Sequence, residues 1–155
     1  MVRNMEKVEN ILTRAAQRAR EKALPYAGAL LPKEAHELLR QAPGAVLVDV
    51  RTQAELYWVG RVPGAVAIEW TFYPGGARNS DFLAQLVAAV PDTGTPVLFL
   101  CRSAHRSHHA ATLAASAGYA YAYNVLEGFE GDRDAQSHRN TVGGWRMAGL
   151  PWEQG

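Results

Sequence analysis

Residues 96–107 read PVLFLCRSAHRS, and they decide the fold. Pro96-Val97-Leu98-Phe99-Leu100 is a short apolar run of the kind that forms a strand buried on both faces. The chain then passes through Cys101-Arg102-Ser103-Ala104-His105-Arg106-Ser107 into an alanine-rich helix over 107–117 that ends at Gly118. A strand running straight into a helix is half of a βαβ unit. Its neighbours repeat the pattern. Upstream, Ala45-Val46-Leu47-Val48-Asp49-Val50 is a second β-rich run, and Thr52 is placed to cap a short helix over Gln53–Tyr57, with Glu55 completing a capping box. Pro63-Gly64 turns the chain into Ala65–Ile68. Beyond the Pro-Gly-Gly loop at 74–76, an amphipathic helix runs through Phe82, Leu83, Leu86 and Val87 to Pro91. Downstream, Tyr121–Val125 reads as a further strand.

Short apolar strands alternating with helices imply a mostly parallel sheet covered on both faces. Right-handed crossovers bring the strands' carboxyl ends to one edge, where ligands of such sheets bind. At the amino end, Leu31-Pro32-Lys33-Glu34 opens a short helix that closes at Pro43-Gly44. Before it, Val8, Ile11, Leu12, Ala15, Ala16 and Ala19 recur at helical spacing opposite a charged face. They predict an amphipathic helix over 1–24, stopped by Pro25 and packed on the domain or against a partner.

Composition bounds the function. The 155 residues are 48% apolar and 20% charged, the size and balance of one globular domain. Sixteen Lys+Arg against fifteen Asp+Glu leave +1, too little charge to drive non-specific nucleic-acid binding. No segment approaches the roughly 20 apolar residues that span a bilayer. One cysteine excludes an intramolecular disulfide framework and a zinc site built on several thiolates. His105, His108 and His109 have helical ligand spacing but no nearby carboxylate or second cysteine, so neither a metal nor another cofactor is expected. The expected address is the cytoplasm.

Cys101 stands at the strand end, before a helix amino terminus. A loop of this length must curl, which turns successive backbone N–H groups inward, and the helix adds its unpaired N–H groups and positive dipole end. Arg102 and Arg106 add charge, as His105 and His108 would if protonated. All of these favour thiolate over thiol and would hold an anion beside the sulfur. Ser103 and Ser107 read as ordinary loop and helix-start residues whose hydroxyls add donors. Asp49 and Arg51, at the neighbouring strand end, read as braces for the loop, with Arg51 alternatively facing the anion.

Two of these segments, VLVDVRTQAELYWVGRVPGA (46–65) and VLFLCRSAHRS (97–107), resemble the rhodanese domain. The first is similar to that family's Asp-x-Arg strand end, helix Glu and Gly-His-Ile-Pro-Gly-Ala turn. The second is similar to its Cys-x4-Arg loop, with Cys101 and Arg106 as the matched ends. Leu126-Glu127-Gly128 and Gly143-Gly144-Trp145 to Gly149-Leu150-Pro151 extend the likeness over about residues 25–152, leaving 1–24 as an extension before a domain of 25–155. The resemblance implies a three-layer α/β fold around a mostly parallel five-stranded sheet, with helices on both faces. It also implies an enzyme that moves a sulfane sulfur from a small anionic donor such as thiosulfate to a thiophilic acceptor such as cyanide or a thiol. Cys101 would carry the sulfur as a persulfide, and Arg102, Ser103, Ala104, His105, Arg106 and Ser107 would form the substrate loop. The alternatives are a carrier delivering sulfur to a protein thiol, a phosphatase-like or arsenate-handling enzyme, and a silent binding module. The Cys-x4-Arg loop is one residue shorter than the Cys-x5-Arg loop of the related phosphatases, which disfavours phosphate.

Three departures accompany the likeness. Ala104 stands where the family has glycine, so a left-handed backbone there would cost about 1–2 kcal/mol. Arg61 replaces the histidine of the turn. Glu130 to Thr141 form an insertion expected to emerge on the Cys101 edge, as a solvated loop or as a flap that selects the acceptor. The four tryptophans, Trp58, Trp70, Trp145 and Trp152, read as core or rim packing.

Overall fold

The structure, a computed structural model, describes residues 2–155, with side chains from Lys7 onward. Its elements are α1 (Val2–Glu21), β1 (Gly28–Leu30), α2 (Pro32–Gln41), β2 (Val46–Asp49), α3 (Gln53–Trp58), β3 (Val66–Ala67), α4 (Phe82–Ala89), β4 (Val97–Leu100), α5 (His105–Ser116) and β5 (Ala122–Val125). The five strands form one sheet in the order β1-β5-β4-β2-β3. Every pairing is parallel. Among the described residues no helix is long and apolar enough to cross a membrane.

Strand periodicity divides the core. On β4, Val97 and Phe99 join Val48, Val50, Phe82, Leu86 and the α5 alanines Ala110, Ala111 and Ala114 in one cluster. Leu98 and Leu100 point the other way and join Leu30, Leu38, Val125, Phe129 and Trp145, with Ile11 and Ala15 of α1. Helices α4 and α5 thus cover one face, and α1 and α2 the other. The alternation follows from the two-residue repeat of a strand, and burial on both sides explains why the run is apolar throughout.

Helix α1 lies against the domain. Ala15 meets Gly28 so closely that a Cβ on Gly28 would come within 2.8 Å of it. Arg18 donates to the Ala29 carbonyl at 2.8 Å and to Glu34 at 2.6 Å. The helix stops before Pro25: Ala23 adopts φ 51° and the Leu24 N–H closes on the Ala19 carbonyl at 2.8 Å. Strand β1 had no sequence signal of its own, because three residues at a sheet edge are too few for a period to register. The third strand is likewise shorter than Ala65–Ile68. The capping box at Thr52 and Glu55 is formed as expected.

Candidate active site

In the sheet Asp49 lies beside Leu100, so β2 and β4 end together and Cys101 emerges next to Val50 and Arg51. Cys101 is 1% exposed. Its Sγ lies 3.2 Å from the Ser107 Oγ, at the first turn of α5. Ser107 Oγ donates to Asn124 Oδ1 at 2.5 Å. Asn124 Nδ2 donates to the Ala104 carbonyl at 3.2 Å and to Tyr26 Oη at 3.4 Å. Tyr26 Oη is 2.8 Å from His108 Nδ1. A polar chain thus runs from the buried sulfur, under the loop, to the half-exposed His108.

The loop backbone is the other half of the geometry. Among the described residues, none of the backbone N–H groups of 102–107 donates to a protein acceptor. These six consecutive donors follow the buried Cys101 in the chain and lead into the amino end of a 12-residue helix, where positive partial charge collects. The curl is completed at Ala104, whose φ of 76° is the left-handed conformation expected if the family glycine were needed there. The Asn124 amide helps to pin that strained residue by its carbonyl.

The charge that Arg106 brings to the loop is not free but paired. Its two terminal nitrogens are bound to the two carboxylate oxygens of Glu55 at 2.7 and 2.9 Å. Burial would raise the Glu55 carboxyl, but Arg106, together with the backbone and hydroxyl of Thr52, holds it at about 2. The pair clamps the far end of the loop to α3. For His108, burial, then the neighbouring His109 and His105, lowers the pKa, and Nδ1 is occupied by Tyr26. It adds little positive charge at neutral pH.

Asp49 and Arg51 form a fully buried pair, Nη2 to Oδ2 at 2.7 Å, and Arg51 also donates to the Gly60 carbonyl at 2.9 Å. Arg51 is 0% exposed, so it does not open onto the mouth of the site. Its guanidinium lies 4.1 Å from the centre of the Phe129 ring, and the Phe129 N–H donates to the Cys101 carbonyl at 2.8 Å. The pair therefore braces the loop through Phe129. Gly128 allows this approach: a Cβ there would lie 2.5 Å from the Arg102 carbonyl carbon and oxygen.

The structure brings Cys101, Ala104, Arg106 and Ser107 into one network and leaves the Arg102 and His105 side chains exposed on its outer side. Ser107 is more than a helix-start residue: it is fully buried and touches the sulfur. Sequence reasoning missed Glu55 as the partner of Arg106, because its capping-box role already accounted for it. It missed Asn124 and Tyr26, since one buried amide or phenol carries no spacing signal. Arg61 turns away to the chain end, where its backbone exchanges 2.8 Å bonds with Glu153. Trp70 and Trp145 are buried, whereas Trp58 is 72% exposed and packs edge-on against Tyr57. The insertion does emerge beside the loop, with the Glu130 N–H on the Arg102 carbonyl at 3.0 Å.

A strand-end cysteine in a curled, donor-rich loop of a parallel sheet is the arrangement of the rhodanese-like domains, and the family comparison agrees. The model of the Rhodanese-like domain matches residues 31–135, and this chain belongs to that family. Among solved structures it is similar to Rv0390 from M. tuberculosis, with 48% identity and a TM-score of 0.77 over 84% of this chain and 99% of that one. It is also similar to the polysulfide-sulfur transferase homodimer of Wolinella succinogenes, with 25% identity and a TM-score of 0.59 over 92% and 88% of the two chains. A curated relative, the uncharacterized protein RC0915 of Rickettsia conorii, is 34% identical over 121 residues, covering 77% of this chain and 92% of its own.

Proposed function

We propose that this protein is a sulfurtransferase in which Cys101 carries the transferred sulfur as a persulfide. The observation that carries the reading is the run of six unpaired backbone donors, 102–107, that begins at the buried sulfur. Such a cradle would stabilise negative charge on a sulfur attached to Cys101, as an oxyanion hole does. The likeness to a polysulfide-sulfur transferase supports the same chemistry.

The reaction is covalent and of ping-pong form. The Cys101 thiolate attacks the outer sulfur of thiosulfate; the sulfur–sulfur bond of the donor breaks, and sulfite leaves with the electron pair. The acceptor then attacks the outer sulfur of the persulfide, and the returning pair restores the Cys101 thiolate. Four residues between Cys101 and Arg106 make a tighter ring than phosphate-transferring loops use, and the Glu55 clamp holds it closed.

Incubation with thiosulfate followed by intact-mass measurement tests the reading. The expected result is a gain of one sulfur atom, absent in Cys101→Ser and removed by cyanide. A chain that never gains sulfur would overturn it. Sulfur that loads but leaves only to a protein thiol would identify a carrier instead of a small-molecule enzyme.

A further inference from the structure

Beside the loop, the insertion builds a second polar cleft of about 430 Å³, lined by Ser103, Asp132, Arg133, Asp134, Ser137 and Arg139. That volume is within the range of small-molecule sites. The segment has no regular secondary structure, yet it is tied down at every turn. Asp134 Oδ1 accepts the N–H groups of Gln136 and His138, both at 2.9 Å, and Oδ2 accepts the Thr141 hydroxyl at 2.7 Å. Asn140 donates its N–H to the Glu130 carbonyl at 2.8 Å, and Arg139 Nη1 donates to the Gly131 carbonyl at 2.8 Å. Gly131 packs directly on the Gly143 carbonyl, where no Cβ fits.

The charges are the informative part. Among the described residues, neither Arg133, Arg139 nor Asp132 takes part in a salt bridge. Asp134 has both carboxylate oxygens engaged, so among the described residues Asp132 is the acidic group of the lining that makes no side-chain hydrogen bond or salt bridge. Arg139 feels burial and the repulsion of Arg102 and Arg133, with Glu130 and Asp132 opposing, and its pKa is lowered. A carboxylate entering between the arginines would relieve that repulsion. A purely anionic ligand would still face Asp132; an ammonium group would neutralise it.

From this lining we infer that the cleft is the acceptor subsite and selects a small zwitterionic thiol, one with the head group of an α-amino acid. Arg133 and Arg139 hold its carboxylate, Asp132 its ammonium group, and its sulfur reaches over Ser103 toward the persulfide. The acceptor thiolate attacks the outer sulfur, the bond to Cys101 Sγ breaks, and that electron pair stays on Cys101. The inference rests on the persulfide reading of Cys101. It adds residues that lie outside the matched loop motif.

The test loads the full chain with thiosulfate and offers cysteine, cysteamine, 3-mercaptopropionate, 2-mercaptoethanol and cyanide. Comparing each variant with the unaltered chain, acceptor by acceptor, removes the intrinsic reactivity of each thiol. Arg139→Gln should raise KM about tenfold for cysteine and 3-mercaptopropionate, the loss of one charge-assisted contact, and leave the others within about twofold. Asp132→Asn should do the same for cysteine and cysteamine. Equal changes for all acceptors, or none, would overturn the subsite. Titration of S-methylcysteine into the unloaded chain, followed by NMR of the arginine side chains, reads the cleft without any transfer. Binding weakened by both substitutions supports the subsite, and absence of binding counts against it. A failure of cyanide turnover alone would fall on the reading of Cys101.

Discussion

Two ion pairs hold the sulfur loop, and they differ in almost every respect. Asp49 and Arg51 are two residues apart on one strand end and fully buried, with side-chain exposures of 1% and 0%. Glu55 and Arg106 are 51 residues apart, join α3 to the far end of the loop, and keep 19% and 20% of their side chains in water. The first pair is tied to the sheet and to the Gly60 carbonyl, with one nitrogen, Arg51 Nη1, left without a partner. The second is bidentate. A buried pair recovers its desolvation cost only when every donor is used, so the inner pair is a requirement of the folded state more than a source of stability. The outer pair keeps partial hydration, and its placement decides where the loop ends.

The largest effect should come from breaking the inner pair. Arg51→Met leaves the Asp49 carboxylate buried with its backbone bond alone, and a lost partner in such a pair costs about 3–5 kcal/mol. Denaturant unfolding measures this. Adding Asp49→Asn removes the stranded charge and should restore much of the loss. If the double variant is as unstable as the single one, the Arg51 contact with Phe129 outweighs the ion pair.

Breaking the outer pair should cost less in stability and more in chemistry. Glu55→Gln keeps the shape of the cap but removes the charge facing Arg106, at about 1–3 kcal/mol. The rate of sulfur loading from thiosulfate should fall at least tenfold while the far-ultraviolet spectrum stays that of the folded chain. Unchanged loading would mean that the loop is held by Asn124 and Phe129 alone.

Acid sharpens the contrast. The Glu55 carboxyl is near 2 when folded, against its ordinary 4.5. A depressed carboxyl stabilises the fold above 4.5, and that contribution is lost as pH falls from 4.5 toward 2. It amounts to roughly 2–3 kcal/mol across the window. Unfolding free energies measured from pH 5 to pH 2 should show a drop that is reduced in Glu55→Gln. An equal drop in both chains would place the acid sensitivity elsewhere.

The same contrast explains how much was legible in the sequence. The strand ends, the loop and its cysteine are written locally: an apolar run, a break, a helix. Periodicity and turn chemistry reach that far. Arg51 beside Asp49 is local too, and two residues on one strand end are close enough for their pairing to be read from the sequence. The partnership of Glu55 with Arg106 is not, since nothing within α3 records what lies across the sheet edge. The Tyr26–Asn124–Ser107 chain is hidden for the same reason, as it joins three segments that are distant in sequence. The insertion was visible only as a departure in length; its order comes from one aspartate satisfying three donors, which no period describes.

The smallest expected effect tests whether the loop's strain belongs to the site or is incidental to it. Ala104 adopts φ 76°, where a Cβ costs about 1–2 kcal/mol, while glycine gives back some of that in unfolded-chain entropy. Ala104→Gly should therefore stabilise the protein by about 0.5–1 kcal/mol, read as a shift in the denaturant midpoint with the slope unchanged. Because Asn124 already fixes the Ala104 carbonyl, the loop should keep its shape and the sulfur-loading rate should stay within about twofold. If loading instead slows while stability rises, the methyl group is part of what holds the donors in register. The strain at Ala104 would then be a cost the fold bears for the sulfur, unlike the clamp at Glu55, which both stabilises and positions.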